Sequence, residues 1–169
     1  MTAAAEPTVE TKRQSRDATG TIQLVSFRLG NEEYGIEITR VQEIILLGDI
    51  TRIPESPQYI KGLINLRNTV IPIVDLRLRF GMPEVAPTEE TRIMVVSISG
   101  KTVGFVVDGV NEVMRIPADG IVPPPPSVTG LGHDYLTGLV NSDERLLIVL
   151  DIERILGADE SATLAAVAE

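Results

Sequence analysis

Few residues of the sequence have the types and spacing that catalysis or metal binding requires. The chain has one histidine, His133, and it is followed by Asp134. A paired His and Asp form part of the catalytic triad that activates a serine nucleophile. Adjacent side chains rarely face each other, so a histidine in a surface loop is the simpler interpretation. Cysteine chemistry is excluded because the chain has no Cys, which removes thiolate nucleophiles, zinc–thiolate sites and disulfides.

Three aspartates at the ends of apolar runs offer another kind of chemistry. Asp75, Asp108 and Asp151 would bind a divalent cation if the fold brought their carboxylates together. Helix capping and turn formation explain them more simply, because Asp is favoured at both places. We therefore expect no metal and no cofactor. A small ligand-binding or hydrolytic protein, using His133, Asp134 and Asp108 in a groove between packed units, stays as the alternative from another functional class.

The charge balance argues against nucleic acid as a partner. The 169 residues include 24 acidic and 15 basic side chains, which gives a net charge of −9, whereas binding to a phosphate backbone needs a basic face. No apolar run reaches the ~18 residues of a membrane span. The first residues lack the charged start and apolar core of a secretory signal. We expect a soluble cytoplasmic protein that does not insert into a membrane.

Short aliphatic and β-branched runs, bounded by Gly, Pro or charged residues, predict a fold made mostly of strands. No long helices separate these runs, so a small barrel is favoured over a parallel sheet with crossover helices. The runs are Thr21–Leu29, Val70–Val74, Ile93–Ile98, Val103–Val107 and Leu146–Leu150.

Turn and capping residues define the connections between the predicted strands. Gly30-Asn31 and Gly100-Lys101 each separate two runs, as the turn of a hairpin does. Two short helices are expected, over Asp75–Phe80 and Asp151–Leu156, because each segment follows a strand and begins with a good N-cap residue.

The chain contains an internal repeat. The segment Tyr59-Ile-Lys-Gly-Leu-Ile-Asn matches Tyr135-Leu-Thr-Gly-Leu-Val-Asn, and the spacing stays in step to the aspartates Asp75 and Asp151. Further matches, in the same order, precede them. Residues 21–80 and 91–156 are therefore interpreted as two copies of one unit of roughly sixty residues.

The repeat predicts how the chain is organised. A unit of ~60 residues is marginally stable alone, so we expect two small barrels, one from each copy, packed against each other. Residues 21–157 then form the folded part, with Gly81–Glu90 as the connector between the copies. Residues 1–20 are predicted to be a disordered tail and residues 158–169 a carboxyl-terminal tail.

A local excess of positive charge points to protein partners. Between Arg52 and Arg79 the chain has five basic and two acidic residues, although the sequence as a whole is acidic. Residues 80–153 contain eleven acidic and four basic residues, so the charge of this part is opposite in sign to that of the basic segment. Such a difference suggests two different protein partners, and ordinary surface variation is the competing explanation. Arg67 lies in the predicted turn Leu66-Arg67-Asn68, where a rigid guanidinium makes a good partner contact.

Motifs spread over residues 20–157 together resemble the CheW-like family of bacterial chemotaxis coupling proteins. They occur in one order and cover nearly everything outside the tails. The motifs are Gly30-Asn-Glu-Glu-Tyr-Gly-Ile-Glu, Val41-Gln-Glu-Ile, Thr51-Arg-Ile-Pro, Ile60-Lys-Gly, Asn65-Leu-Arg, Val70-Ile-Pro-Ile-Val-Asp-Leu-Arg, Val106-Val-Asp-Gly-Val and Tyr135-Leu-Thr-Gly-Leu.

The resemblance implies an all-β fold of two packed SH3-like five-stranded barrels, with short helices and a carboxyl-terminal helix. It implies a non-catalytic adaptor that links the cytoplasmic tips of methyl-accepting chemoreceptors to the regulatory domain of the histidine kinase CheA. The adaptor would support assembly of the receptor array, and its partners would hold it at the membrane-bound receptors. An adaptor of another chemosensory pathway is the alternative within this class.

The resemblance also assigns five positions to partner binding, mostly to receptor. From the residues alone, Val41 reads as core, Glu43 as solvated and Gly62 as a turn or a close backbone approach. The chain departs from the family at Asn68, where glycine is usual, but Asn tolerates positive φ. The five positions are Val41, Glu43, Gly62, Arg67 and Val113.

Overall fold

The computed structural model describes residues 20–124, 135–142 and 144–156, which form ten strands, two short α-helices and two 3-10 turns, Ile38–Arg40 and Ala118–Gly120. His133, Asp134, nearly all of the predicted amino-terminal tail and the predicted carboxyl-terminal helix lie outside these residues. The elements are β1 Thr21–Leu29, β2 Glu32–Glu37, β3 Val41–Leu46, β4 Ile60–Leu66, β5 Thr69–Asp75, α1 Leu76–Arg79, β6 Arg92–Ile98, β7 Lys101–Val107, β8 Gly109–Pro117, β9 Leu136–Ser142, β10 Arg145–Leu150 and α2 Ile152–Ile155.

Local sequence signals are confirmed at most of these elements. The turn at Gly30-Asn31 joins β1 to β2, and both short helices follow an N-cap aspartate as predicted. The second hairpin turn is displaced by one residue from its predicted place. It lies at Ser99-Gly100, because both residues adopt positive φ (52° and 79°), and Lys101 already belongs to β7.

The ten strands form two five-stranded sheets with the same internal order. Sheet 1 has the order β8-β1-β2-β10-β9, and sheet 2 has the order β3-β6-β7-β5-β4. When β1 to β5 are matched with β6 to β10 through the repeat, one order becomes the other. Each sheet also has a single parallel pair, β2 with β10 and β5 with β7. The all-β expectation with two five-stranded units is confirmed.

The expectation that each repeat forms its own barrel is wrong. Sheet 1 takes β1 and β2 from the first repeat and β8 to β10 from the second, while sheet 2 takes the complementary strands. The hairpin β1–β2 has two open edges, and strands of the other repeat pair with both of them. Because each copy supplies hydrogen-bonding partners to the other, neither copy is an independent unit.

The alternation of side chains along the strands gives three hydrophobic clusters. In β6, Met94 and Val96 face a central cluster shared by the two sheets, whereas Ile93 and Val95 face the interior of sheet 2. The interior of sheet 1 has its own cluster around Leu24 and other aliphatic residues. A strand buried on both faces reads as a continuous apolar run, which is why β6 was recognisable from sequence.

Candidate partner-binding site

Glu43 and Arg67 are brought together although they lie at opposite edges of sheet 2. Glu43 is on the edge strand β3, and Arg67 follows the other edge strand, β4. Arg67 Nη1 donates to Glu43 Oε1 at 3.3 Å, and Arg67 Nη2 makes a second contact with Glu43 Oε2. The sheet therefore curls until its edges approach each other, and the ion pair links them. The hydrogen bonds from the guanidinium lower the pKa of Glu43 and raise that of Arg67.

The turn that carries Arg67 is a tight hairpin turn of two residues. Arg67 and Asn68 both have positive φ, 52° and 68°, which is the conformation of a type I′ turn. The backbone N–H of Asn68 donates to Asn65 Oδ1 at 2.8 Å. The predicted turn is confirmed, and asparagine fills the place of the usual glycine. Arg67 therefore has a backbone conformation that is uncommon for a residue other than glycine, and the contacts with Glu43 orient its guanidinium.

Gly62 allows two backbone segments to approach each other. Thr51 and Leu63 form an antiparallel bridge with N···O distances of 2.8 Å in both directions. A Cβ atom on Gly62 would lie 2.1 Å from Thr51 O, and its φ is +145°. The equivalent glycine of the second repeat, Gly138, has the same relationship to Val122 O, at 2.6 Å. The interpretation of a close backbone approach is confirmed in both copies.

The two valines of the predicted set lie on different sheets. Val41 begins β3 and packs against the central cluster, but it is half-buried and is not one of the fully buried core residues that the sequence predicted it to join. Val113 lies on β8, the edge strand of sheet 1, and its side chain is exposed. The repeat matches Val113 with Ile44, which is exposed on β3. The structure thus brings Val41, Glu43 and Arg67 to one sheet and places Val113 on the other.

A second ion-pair network occupies the corresponding edge of sheet 1. Arg145 donates from Nη1 to Glu112 Oε2 at 2.9 Å and from Nε to Glu33 Oε1 at 3.1 Å. Hydrogen bonds from Arg145, with further ones from Ser26 and Asn111, lower the pKa of Glu33 to about 2 despite its burial. The sequence analysis missed this network. The available signal was the repeat, which matches Glu112 with Glu43.

The aspartates considered as metal ligands have structural roles. Asp75 and Asp151 cap α1 and α2, and burial raises the pKa of Asp75. Asp108 accepts from Arg77 Nη2 at 2.7 Å and from the backbone N–H of Gly30 at 2.7 Å. No group of His, Asp or Glu side chains in the described ranges is placed to hold a metal ion. The carboxylates therefore anchor turns and helix ends in this part of the chain.

The basic segment between Arg52 and Arg79 is largely neutralised by contacts within the protein. Lys61 pairs with Glu84, Arg67 with Glu43, and Arg77 with Asp108. The excess of positive charge seen in this segment of the sequence therefore does not form a free positive surface in the described structure. Arg52 makes no ion pair with a described residue.

Arg79 joins the two repeats at the seam between the sheets. Its guanidinium lies 5.4 Å from the ring centroid of Tyr59 and 5.1 Å from that of Tyr135, and these tyrosines are equivalent in the repeat. Phe80 stacks on Tyr135 with a centroid separation of 5.3 Å. The arrangement places a cation between two symmetry-related rings, which stabilises the contact between the sheets.

Comparison with known proteins gives consistent results. The CheW-like domain profile matches residues 23–160. A Klebsiella aerogenes protein named Chemotaxis protein CheW is 44% identical over 147 residues, covering 87% of this chain and 89% of that protein. A Helicobacter pylori protein of the same name is 35% identical over 138 residues, covering 82% and 83%.

A solved structure has the same fold. The crystal structure of the scaffolding protein TtCheW from Thermoanaerobacter tengcongensis superposes with a TM-score of 0.76 at 36% identity. The match covers 82% of this chain and 94% of that one. In the described part of the chain, every helix is too short to cross a membrane.

Proposed function

The chain belongs to the CheW-like domain family, and we propose that it is a non-catalytic adaptor of bacterial chemotaxis that couples chemoreceptors to a histidine kinase. The proposed partners are the cytoplasmic tips of methyl-accepting chemoreceptors and the regulatory domain of CheA. The names of the relatives, chemotaxis protein and scaffolding protein, support this role. In the cell the adaptor would be held at membrane-bound receptor arrays through these partners.

The Glu43–Arg67 pair is the observation that carries the proposal. Both residues belong to the set that the family resemblance assigns to partner binding, and the fold brings them from opposite edges of one sheet into contact. The side chain of Arg67 is 69% exposed, so its guanidinium is available to a partner while Glu43 orients it. We propose that Val41, Glu43 and Arg67 on sheet 2, with Gly62 shaping the edge strand, contribute to receptor binding.

Val113 extends the proposed binding surface to sheet 1. Its side chain is 52% exposed on the edge strand β8, beside Glu112 of the second ion-pair network. Because a single exposed valine is common on protein surfaces, Val113 is included on the ground that the family resemblance assigns this position to partner binding. Partner binding by two sheets that pack as one body would let an adaptor hold two proteins in a fixed relative position.

The alternative of a small enzyme in the groove is not favoured, because one of its three candidate residues has a structural role. Asp108 is engaged by Arg77 and by the N–H of Gly30, and it lies at the junction of β7 and β8. His133 and Asp134 lie outside the described residues. Replacement of His133 by Ala separates the two classes: an adaptor retains its partner binding and kinase coupling, whereas an enzyme that uses the imidazole loses its activity.

Reconstitution tests the proposal directly. The protein is mixed with the kinase, including its regulatory domain, and with receptor-tip fragments. Co-elution of both partners and a rise in kinase activity are expected. Formation of neither complex would refute the adaptor function. Arg52→Glu serves as the control for Arg67→Glu, because it makes the same change of charge at an arginine without an ion pair to a described residue.

A further inference from the structure

Asp108 joins three segments that belong to both sheets. Its carboxylate accepts from Arg77 Nη2, on α1, at 2.7 Å and from the backbone N–H of Gly30, in the β1–β2 turn, at 2.7 Å. Asp108 itself lies between β7 of sheet 2 and β8 of sheet 1. We call the group of Gly30, Arg77 and Asp108 the Asp108 cluster.

Glu153 joins the corresponding segments at a second place. Its Oε2 atom accepts from Arg40 Nη1 at 2.6 Å and from the backbone N–H of Ser99 at 3.2 Å. Glu153 is on α2, Ser99 begins the β6–β7 turn, and Arg40 lies between β2 and β3. We call the group of Arg40, Ser99 and Glu153 the Glu153 cluster.

The repeat relates the two clusters, but the charges are exchanged. The register that matches the two N-cap aspartates places Arg77 on Glu153, so the helix supplies a cation to one cluster and a carboxylate to the other. The connection between equivalent strands supplies the opposite charge. It contributes Asp108 to one cluster and Arg40 to the other, one position apart in the register of the repeat.

Both cations belong to the first repeat, and both carboxylates belong to the second. Each cluster therefore contains one ion pair between the repeats, Arg77 with Asp108 and Arg40 with Glu153. Two first repeats packed with the same geometry would instead bring Arg77 of one against Arg40 of the other. Two second repeats would bring Glu153 against Asp108. Pairing of identical repeats thus creates like-charged contacts at both clusters.

We propose that this charge pattern selects the partner of each repeat. The face that a repeat buries against the other fits a repeat of opposite charge and disfavours a copy of itself, so the chain closes on itself. Strand pairing alone would not make this distinction, because the two repeats share one order of strands. The inference concerns how the repeats pair and is independent of the proposed adaptor function.

Burial makes these charges effective. The side chains of Arg77 and Asp108 are 13% and 21% exposed, and those of Arg40 and Glu153 are 43% and 32% exposed. Salt screens partly buried charges less than exposed ones, so like-charged contacts there are costly. A pair of first repeats would also leave the N–H of Gly30 without the carboxylate that accepts its hydrogen bond here.

A third ion pair between the repeats adds preference without repulsion. Arg145 of the second repeat pairs with Glu33 of the first, and the repeat matches these positions with Thr69 and Thr102. Identical repeats would lose this ion pair, but they would gain no like-charged contact in its place. The test therefore concerns the Asp108 and Glu153 clusters.

Two variants of the full chain test the proposal. The positive variant carries Asp108→Arg and Glu153→Arg, and the negative variant carries Arg40→Glu and Arg77→Glu. Each has like charges in both clusters, so its urea midpoint should fall below that of the wild type. Refolded together from urea, the two variants should form a complex of one chain of each, with the wild-type midpoint restored.

Exchange of repeats between the two chains is the expected route to this complex. The connector Gly81–Glu90 has ten residues and can span about 33 Å, which lets the repeats of one chain reach those of another. Net charge opposes the association, because both variants stay negative overall in a chain of net charge −9. Native mass spectrometry identifies the complex, and circular dichroism during urea unfolding gives the midpoints.

Two controls accompany the mixture. All four substitutions in one chain restore unlike charges, and this reversed chain should be a monomer with a midpoint near that of the wild type. The second control makes the same changes of charge at exposed positions outside the clusters, and its two chains should stay monomers when mixed. One of these chains carries Arg52→Glu and Lys101→Glu, and the other carries Asp119→Arg and Glu144→Arg.

A one-to-one complex with the wild-type midpoint, formed only by the cluster variants, supports the proposal. The same result supports it if neither variant folds alone. Wild-type midpoints in the separate variants, or a mixture that stays as two destabilised or unfolded chains, would overturn it. So would a complex of the surface-control chains, a complex whose midpoint is not restored, or a reversed chain as unstable as the two variants.

Discussion

The carboxylate of Glu43 on β3 and the guanidinium of Arg67 in the β4–β5 turn form a two-contact ion pair that joins the opposite edges of one sheet. Two nitrogens of Arg67 are used in this contact, and the side chain stays largely exposed. The pair therefore does two things at once. It holds the edges of the curled sheet together, and it presents an oriented cation at the surface that we propose for receptor binding.

Arg67→Glu is expected to weaken receptor-tip binding about tenfold or more, because it replaces an oriented donor by a carboxylate facing Glu43. The thermal midpoint should change little, because the pair is solvent-exposed. Calorimetry with receptor-tip fragments measures the first effect and circular dichroism the second. Wild-type affinity in the folded variant would remove Arg67 from the proposed surface.

The charge swap separates direct contact from positioning. Glu43→Arg combined with Arg67→Glu restores an ion pair of reversed polarity across the two edges. If Arg67 contacts the receptor directly, the double variant should bind as weakly as Arg67→Glu. Full recovery of binding would show instead that the pair acts only by holding the sheet edges together.

Gly62→Ala is expected to destabilise the protein by about 3 kcal/mol or more, as expected for strain at a special backbone conformation combined with a steric clash. The new Cβ would lie 2.1 Å from Thr51 O, at a φ of +145°. Urea unfolding measures the loss. Gly48→Ala is the matched control, because a Cβ there meets nothing within 4 Å. Equal unfolding midpoints for the two variants would contradict the proposed close approach.

Asp108→Ala is expected to cost about 2 kcal/mol of the free energy of unfolding, since it leaves Arg77 without its carboxylate partner. The pair is largely buried, with side chains 13% and 21% exposed, and an unpaired buried charge is strongly destabilising. Asp119→Ala, at an exposed site, provides the control in the same denaturation series. A loss no larger than that of the control would show that the pair does not stabilise the fold.

The Glu33 network predicts a loss of stability in acid. The pKa of Glu33 is lowered to about 2 in the folded protein, below its ordinary value of 4.5. The stabilisation is therefore fully present above about pH 4.5 and is lost as the pH falls toward 2. The free energy of unfolding, measured from pH 6 to 2, should fall less steeply in Glu33→Gln than in the wild type. Parallel profiles for Glu33→Gln and the wild type would contradict the assignment.

The sequence determined the features that depend on neighbours along the chain. Alternating aliphatic residues marked Thr21–Leu29 as β1 with its observed bounds, and Asp75 and Asp151 marked the starts of the two helices. The turn at Arg67-Asn68 was also recognisable from residue types. These features could be predicted because strand periodicity, capping and turn conformation are set by residues a few positions apart.

The tertiary structure decided which strands pair and which charged groups meet. The repeat was evident in sequence. However, two copies with the same pattern of strands have equivalent strand edges. The sequence pattern therefore does not show whether a strand pairs within its own copy or with the other one. The fold pairs β3 with β6 and β1 with β8, so each sheet is shared. The contacts of Arg67 with Glu43 and Arg77 with Asp108 follow from that pairing and from the curling of the sheets. They join residues that are distant in sequence, and local sequence patterns do not show which distant residues come into contact.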